Sequence, residues 1–161
     1  MFDLNHLNFG EFLASKELKQ VYALLESQWG FDEKLEQAFF LSGKERLYLI
    51  NRAVDVLDFN KLRINSIGLY FGELRHGELR LSIEGSQIVG PGAKKNVVEL
   101  NHAERKLWLQ GVDVNKNCKE TGFIIIKSSE DFVGCGKCKD GRILNFVPKA
   151  RRLFTADFAS E

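Results

Sequence analysis

The sequence predicts an α+β protein, with an α/β module in residues 1–91 followed by a small β-barrel in residues 92–161. Three observations lead there. Leu18, Val21, Tyr22, Leu25 and Trp29 recur at the spacing of one helical face. Leu79, Leu81 and Ile83 alternate with Glu78, Arg80 and Ser82, the period of a half-buried strand. Residues 92–161 carry short apolar runs separated by turn residues, and such short strands hide their edges by closing, or nearly closing, on themselves.

The elements follow in order. Residues 11–29 form the amphipathic helix, with Ser15 as a candidate cap and Gly30 just beyond its end, where φ turns positive. Residues 38–41 and 46–50 flank Ser42-Gly43-Lys44 and read as a hairpin. Asn51 caps a short helix reaching about Asp58. Ile67, Leu69 and Phe71 share one face of a strand, and Arg75-His76-Gly77 joins it to the strand through Leu79, Leu81 and Ile83. Gly90-Pro91-Gly92 is the strongest punctuation in the chain and sets the expected boundary between the modules. Beyond it come a strand near residues 97–100, a helix capped by Asn101 and ending near Gln110-Gly111, and strands at 122–127, 132–138 and 142–147. Asp140-Gly141 joins the last two as a tight hairpin, because both turn positions want positive φ.

Charge sharpens the division. The net charge is +1, but residues 1–91 hold 10 Lys/Arg against 13 Asp/Glu, whereas residues 92–161 hold 13 against 9. An acidic front and a basic back point to modules with different partners. No apolar run approaches the roughly 18 residues of a membrane span. The first ten residues lack the apolar core of a signal peptide, and the three cysteines are an odd number. The expected location is the cytoplasm.

Catalytic chemistry finds little support. Cys135-Gly136-Lys137-Cys138 is a C-x-x-C, yet only Cys118, His6, His76 and His102 remain to complete a metal site. The odd separation puts Cys135 and Cys138 on opposite faces of a strand, so one buried cysteine and one exposed or edge thiol are expected, and no metal. Gly134-x-Gly136 lies between strands, whereas a phosphate loop leads into a helix. There is no G-x-S-x-G, and the carboxylates are scattered. The expectation is a protein that is not an enzyme, with no catalytic residue and no cofactor. The basic residues stand out instead. Lys94 and Lys95 open the basic half, Arg105 and Lys106 lie on its helix, and Lys149, Arg151 and Arg152 follow its last strand. Lys and Arg so placed suit backbone phosphates, where they release counterions and Arg bonds in a bidentate manner.

The run Ala93-Lys-Lys-Asn-Val-Val-Glu-Leu-Asn101, then Leu107-x-x-x-Gly111-x-x-Val114, Thr121-Gly-Phe-Ile-Ile-Ile, Phe132-Val-Gly-Cys-Gly-Lys137 and Asp140-Gly-Arg-Ile-Leu-Asn-Phe-Val-Pro-Lys-Ala-Arg-Arg152 resembles a PUA-type RNA-binding domain. It is most similar to the C-terminal region of the Fmu/Sun/Nop family of rRNA cytosine-5 methyltransferases, which has archaeal stand-alone relatives described as ribosome biogenesis proteins. Ile67-Gly-Leu-Tyr-Phe-Gly-Glu-Leu followed by Arg80-Leu-Ser resembles the strand pair before the PUA domain in Nip-type large-subunit biogenesis factors. The resemblance implies an N-terminal α/β pre-PUA-like domain at 1–91 and a PUA-like barrel at 92–161. It implies RNA binding without methyl transfer, through Lys94, Lys95, Arg105, Lys149, Arg151 and Arg152, since nothing here matches the cofactor-binding domain. The expected partner is RNA, with rRNA first and tRNA second, and a ribosome-assembly protein would contact residues 1–91. The alternatives are a protein–protein adapter, or a targeting subunit acting in trans with an rRNA methyltransferase.

Overall fold

The computed structural model describes residues 10–52 and 68–158. Strands β1 (Glu11–Phe12), β2 (Ala38–Leu41), β3 (Arg46–Ile50), β4 (Leu69–Arg75) and β5 (Glu78–Leu81) form one antiparallel sheet in chain order. Helix α1 (Ser15–Trp29) lies between β1 and β2 in the chain and buries Val21, Leu25 and Trp29. The Gln28 side-chain amide serves both backbone groups of Leu79: its Oε1 accepts from the N–H at 2.7 Å and its Nε2 donates to the carbonyl at 2.9 Å. The helix thus occupies hydrogen-bonding groups of an edge strand that would otherwise invite a foreign partner. Gly30 ends α1 at φ 64°, and its N–H bonds the Glu26 carbonyl, as the sequence predicts.

The second sheet has the order β6-β8-β9-β10-β7, formed by β6 (Val97–Glu99), β7 (Val114–Asn115), β8 (Phe123–Ser128), β9 (Asp131–Lys139) and β10 (Arg142–Asn145). Only β6 and β8 are parallel among these pairs. The fold is mixed α/β, and this sheet curls into a half-barrel. Among the described residues the barrel does not close. Helix α3 (His102–Leu109) follows β6 and starts at a capping box: Asn101 Oδ1 accepts from the Glu104 N–H, and Glu104 accepts from the Asn101 N–H. The β9–β10 turn has Asp140 at φ 51° and Gly141 at φ 75°, the two positive values its sequence demands.

Helix α2 (Ile83–Val89) locks the two sheets together. Ser82 caps it by accepting from the Gly85 N–H. A Cβ on Gly85 would stand 2.1 Å from the Phe71 carbonyl oxygen of β4, and one on Gly90 would stand 2.3 Å from the Phe132 ring of β9. Glycine is therefore what lets this short helix approach one sheet's backbone and the other's side chains together. β8 serves both cores. Phe123 and Ile125 join the cluster of Trp29, Phe71 and Leu79, while Ile124 and Ile126 join that of Trp108, Val114 and Ile143. The period-2 geometry of a strand divides four consecutive apolar residues between two interiors. The apolar interior is thereby continuous across Gly90-Pro91-Gly92.

Several expectations need correction. Residues 11–12 pair with β2 as a strand, so α1 begins at Ser15, and Ala14 occupies the cap position without a side-chain hydrogen bond. Leu69 and Phe71 do not share burial: Leu69 is 40% exposed and Phe71 fully buried, alongside a register shift in which β3 pairs Leu47 with Gly72 but Tyr48 with Tyr70. Ile83 begins α2 rather than extending β5, because the Ser82 cap turns the chain. The last strand ends at Asn145 instead of residue 147. Cys138 is no edge thiol; it forms a disulfide with Cys118, their Cα atoms 6.1 Å apart. Cys135 is the buried cysteine expected, and burial pushes its thiol up to about 12. The expected helix after Asn51, and Ile67, fall largely outside the described residues.

Two measurements follow. Gly85→Ala should cost about 1–3 kcal/mol, the range for overpacking a filled site, read as a lower urea midpoint. An unchanged midpoint would mean that the β4 backbone yields. Because the folded chain keeps the Cys135 thiol protonated past its ordinary value, stability should fall as pH rises from about 9 towards 12. Cys135→Ala should flatten that decline, and an equal slope in both proteins would contradict the burial argument.

Candidate nucleic-acid interface

The segment after β10 is positioned by one asparagine. The Asn145 side chain donates to the Trp108 carbonyl at 2.8 Å and to the Val112 carbonyl at 3.0 Å, and its Oδ1 accepts from the Val147 N–H at 2.8 Å. Asn145 also donates its backbone N–H to Asp113 at 2.8 Å. Three of these hydrogen bonds tie the end of β10 to the end of α3 and the chain leaving it, and the fourth fixes the turn of the segment itself. The Asn-x-x-Pro-Lys pattern gains a physical meaning: asparagine fixes the exit, and Pro148 starts a single 3-10 turn, Lys149–Arg151, that presents the cations.

From there the chain crosses the C-terminal end of α3. Leu153 donates its N–H to the Leu109 carbonyl at 2.9 Å. The Arg152 Nε donates to the Val147 carbonyl at 3.1 Å, and its side chain covers Gly111, where a Cβ would stand 2.2 Å from Nε. Gly111 has φ 83°, so both its conformation and the arginine above it call for glycine. Arg152 is therefore a packing residue as well as a cation.

The predicted cations fall into two groups. Arg105 and Arg151 line one open groove, with Gln87 and Leu153. Lys149 and Arg152 line an adjoining recess with Gln110, Leu153 and Phe154. Leu153 belongs to both, so the four cations line two neighbouring depressions that share a wall. Phe154 projects from the second, 74% exposed. Lys94 and Lys95 sit elsewhere, where both backbone N–H groups meet the Trp29 carbonyl at the end of α1.

Carboxylates accompany several of these cations. Lys94 pairs with Asp32 at 2.6 Å, Arg105 with Asp131 at 3.5 Å, and Arg151 with Glu84. The hydrogen bond with Lys94, and then its charge, hold the Asp32 carboxyl low, and the same bond holds Lys94 high. Surface pairs contribute little to stability, so a phosphate displaces the carboxylate at little cost. Lys149 is exposed and meets no carboxylate among the described residues.

Three contributors escaped the sequence reading. Asn145 carries no charge and its role is visible only in contacts. Phe154 was detectable in principle as an aromatic following a basic run. Arg80 lies on a strand, where alternation marks it as a solvent-facing residue. In the structure its Nη2 bonds the buried Glu73 at 2.8 Å and its guanidinium lies 4.7 Å from the Phe146 ring. Cys118, Glu120 and Cys138 bring three potential metal-binding atoms within 4.8 Å of one another, but the two sulfurs are bonded together, which leaves the carboxylate alone. No helix among the described residues is long and apolar enough to cross a membrane.

Part of the chain is similar to a known domain. Residues 95–153 match the family model described as the Methyltransferase RsmF PUA domain. The match is to the PUA domain and not to the catalytic methyltransferase domain. Over 138 residues the chain is 28% identical to a ribosomal RNA small subunit methyltransferase F of Aeromonas hydrophila, an alignment covering 85% of this chain and 28% of the relative. The matched region includes α3, the curled sheet and the whole cationic segment to Leu153. Residues 95–153 are a PUA domain resembling the C-terminal region of the Fmu/Sun-family rRNA methyltransferases.

Proposed function

We propose that this chain binds structured RNA non-catalytically, with rRNA as the first candidate and tRNA the second, during ribosome biogenesis or rRNA modification. The observation that carries the reading is a pair of neighbouring depressions, one lined by Arg105 and Arg151 and the other by Lys149 and Arg152, with exposed Phe154 lining the second. Its chemistry fits a nucleic acid. Cations grip successive phosphates, and an exposed ring takes the face of an unpaired base. Lys94 and Lys95 extend the contact if the RNA reaches the end of α1. Residues 1–91 act as a domain that orients the PUA domain on its target or holds an assembly protein.

The adapter reading draws on a different observation, the internal pairing of Lys94, Arg105 and Arg151. A targeting subunit that serves a separate rRNA methyltransferase uses the same RNA surface and differs only in its partner. Salt dependence separates the RNA reading from the adapter. Each phosphate contact contributes a slope of about −0.7 to −0.9 in log K against log salt. Lys149→Glu combined with Arg151→Glu should weaken binding to an RNA stem-loop regardless of sequence and flatten the slope by about 1 per lost contact. A slope unchanged from the parent removes these residues from the interface. Phe154→Ala should cost about 1–3 kcal/mol on a stem-loop with an unpaired loop and much less on a blunt duplex. Equal losses on both would contradict stacking.

A further inference from the structure

The loop between β7 and β8 lies against the β9–β10 hairpin. β7 pairs with β10 and β10 with β9, and the Asn117 side chain sits over the hairpin turn, where a Cβ on Gly141 would stand 3.1 Å from its Oδ1. This arrangement puts Cys118 and Glu120 of the loop beside Cys138 near the end of β9. The two sulfurs and a Glu120 carboxylate oxygen all lie within 4.8 Å of one another, and all three residues are half-buried. The sulfurs rest against the cluster of Trp108, Val114 and Ile143. Glu120 has no hydrogen-bond or ion-pair partner among the described residues, so its carboxylate stands beside the cysteine pair with no cation opposite it. The site shares no residue with the two cationic depressions.

We propose that, once the disulfide is reduced, Cys118, Glu120 and Cys138 bind one zinc ion, with water as the fourth ligand. Zinc takes tetrahedral sets of thiolate sulfur at about 2.3 Å and carboxylate oxygen at about 2.0–2.2 Å. Such a tetrahedron spaces its sulfurs about 3.8 Å apart and sets each about 3.6 Å from the oxygen. The three donors are gathered on that scale, and rotation of the side chains parts the sulfurs while the Cα atoms stay 6.1 Å apart. Two thiolates select a soft or borderline ion over magnesium or calcium, and the carboxylate suits zinc better than copper(I). Exposed Lys119 and Lys139 each adjoin a cysteine in the chain, and such cations favour the thiolate form that binds metal. A dithiol reductant supplies two electrons and two protons to the disulfide and closes to a disulfide itself. Zinc then displaces the two thiol protons to solvent. A peroxide reverses the change: the two thiolates give up two electrons and form the S–S bond, the peroxide takes those electrons with two protons to become two waters, and the ion leaves. The loop is thus clasped to β9 by a covalent bond under oxidising conditions and by an ion under reducing ones.

The test uses the full chain, alone and with Cys135→Ala, which leaves Cys118 and Cys138 as its two thiols. Each protein is reduced with a phosphine, freed of reductant in the absence of air, and titrated with zinc chloride against a chromophoric chelator. A second titration uses cobalt(II) chloride. Both reduced proteins should take up one zinc, and the cobalt forms should show the intense absorption of thiolate-to-cobalt charge transfer. The oxidised proteins should take up none, and hydrogen peroxide should release the ion from the reduced ones. Glu120→Gln keeps both sulfurs and the side-chain volume, with folding checked by circular dichroism. It should raise the zinc Kd at least about tenfold, the smaller loss typical even of residues that only support a ligand. Cys118→Ser should abolish stoichiometric uptake. The inference is overturned if the reduced chain takes up no zinc, if the oxidised chain binds it as tightly, if the cobalt form lacks thiolate absorption, or if Glu120→Gln binds like the parent.

Discussion

The arrangement depends on how closely α2 packs. Gly85 brings the helix onto the β4 carbonyl of Phe71, and Gly90 clears the Phe132 ring on β9. A side chain at either position would force apart two sheets that share a continuous interior through Phe123, Ile125 and Cys135. The same helix carries Ile83 and Gln87 to the groove that Arg105 and Arg151 line. Fold and site therefore share one constraint. The Arg151 guanidinium meets Glu84 only because α2 sits where two glycines allow it.

The electrostatics of the two depressions are those of an exchangeable surface. Its arginines are held by carboxylates that are themselves solvated, so the resting pairs fix side-chain direction without committing much free energy. A polyanion competes by offering several phosphates at once and releasing their counterions, a gain no single carboxylate matches. Arg152 differs from its neighbours. It is committed to Val147 and to the space above Gly111, and its charge is presented by packing instead of by a partner. Asn145 complements it by fixing the chain just upstream.

Much of this was legible in the residues. The α1 face, the Gly30 terminus, the Asn101 cap and the Asp140-Gly141 turn are local features whose causes lie within a few positions of one another, and the structure has each where the residues place it. The errors came where tertiary contacts override local pattern. Apolar alternation placed Leu69 with Phe71, but the register shift against β3 accompanies the exposure of one and the burial of the other. Alternation also carried the strand through Ile83, although the Ser82 hydroxyl makes a better helix cap than a strand residue. The spacing of Cys138 to Cys135 says nothing of its partner, Cys118, which lies twenty residues away in sequence. The sheet curls as far as a half-barrel where the pattern predicts a closed or nearly closed one, and among the described residues short β6 and β7 lie on its two edges. The basic residues were visible as charges, but their division between the α3 side and the end of α1 was not, because it depends on how the chain returns across α3.

Ultraviolet crosslinking of the full chain to an RNA stem-loop, followed by mass spectrometric mapping, tests the central claim most directly. The account predicts crosslinked peptides from α3 and from residues 149–154, with Phe154 among the modified positions. Crosslinks confined to the outer face of α1 or to the β2–β3 hairpin, with none in those two segments, would contradict it.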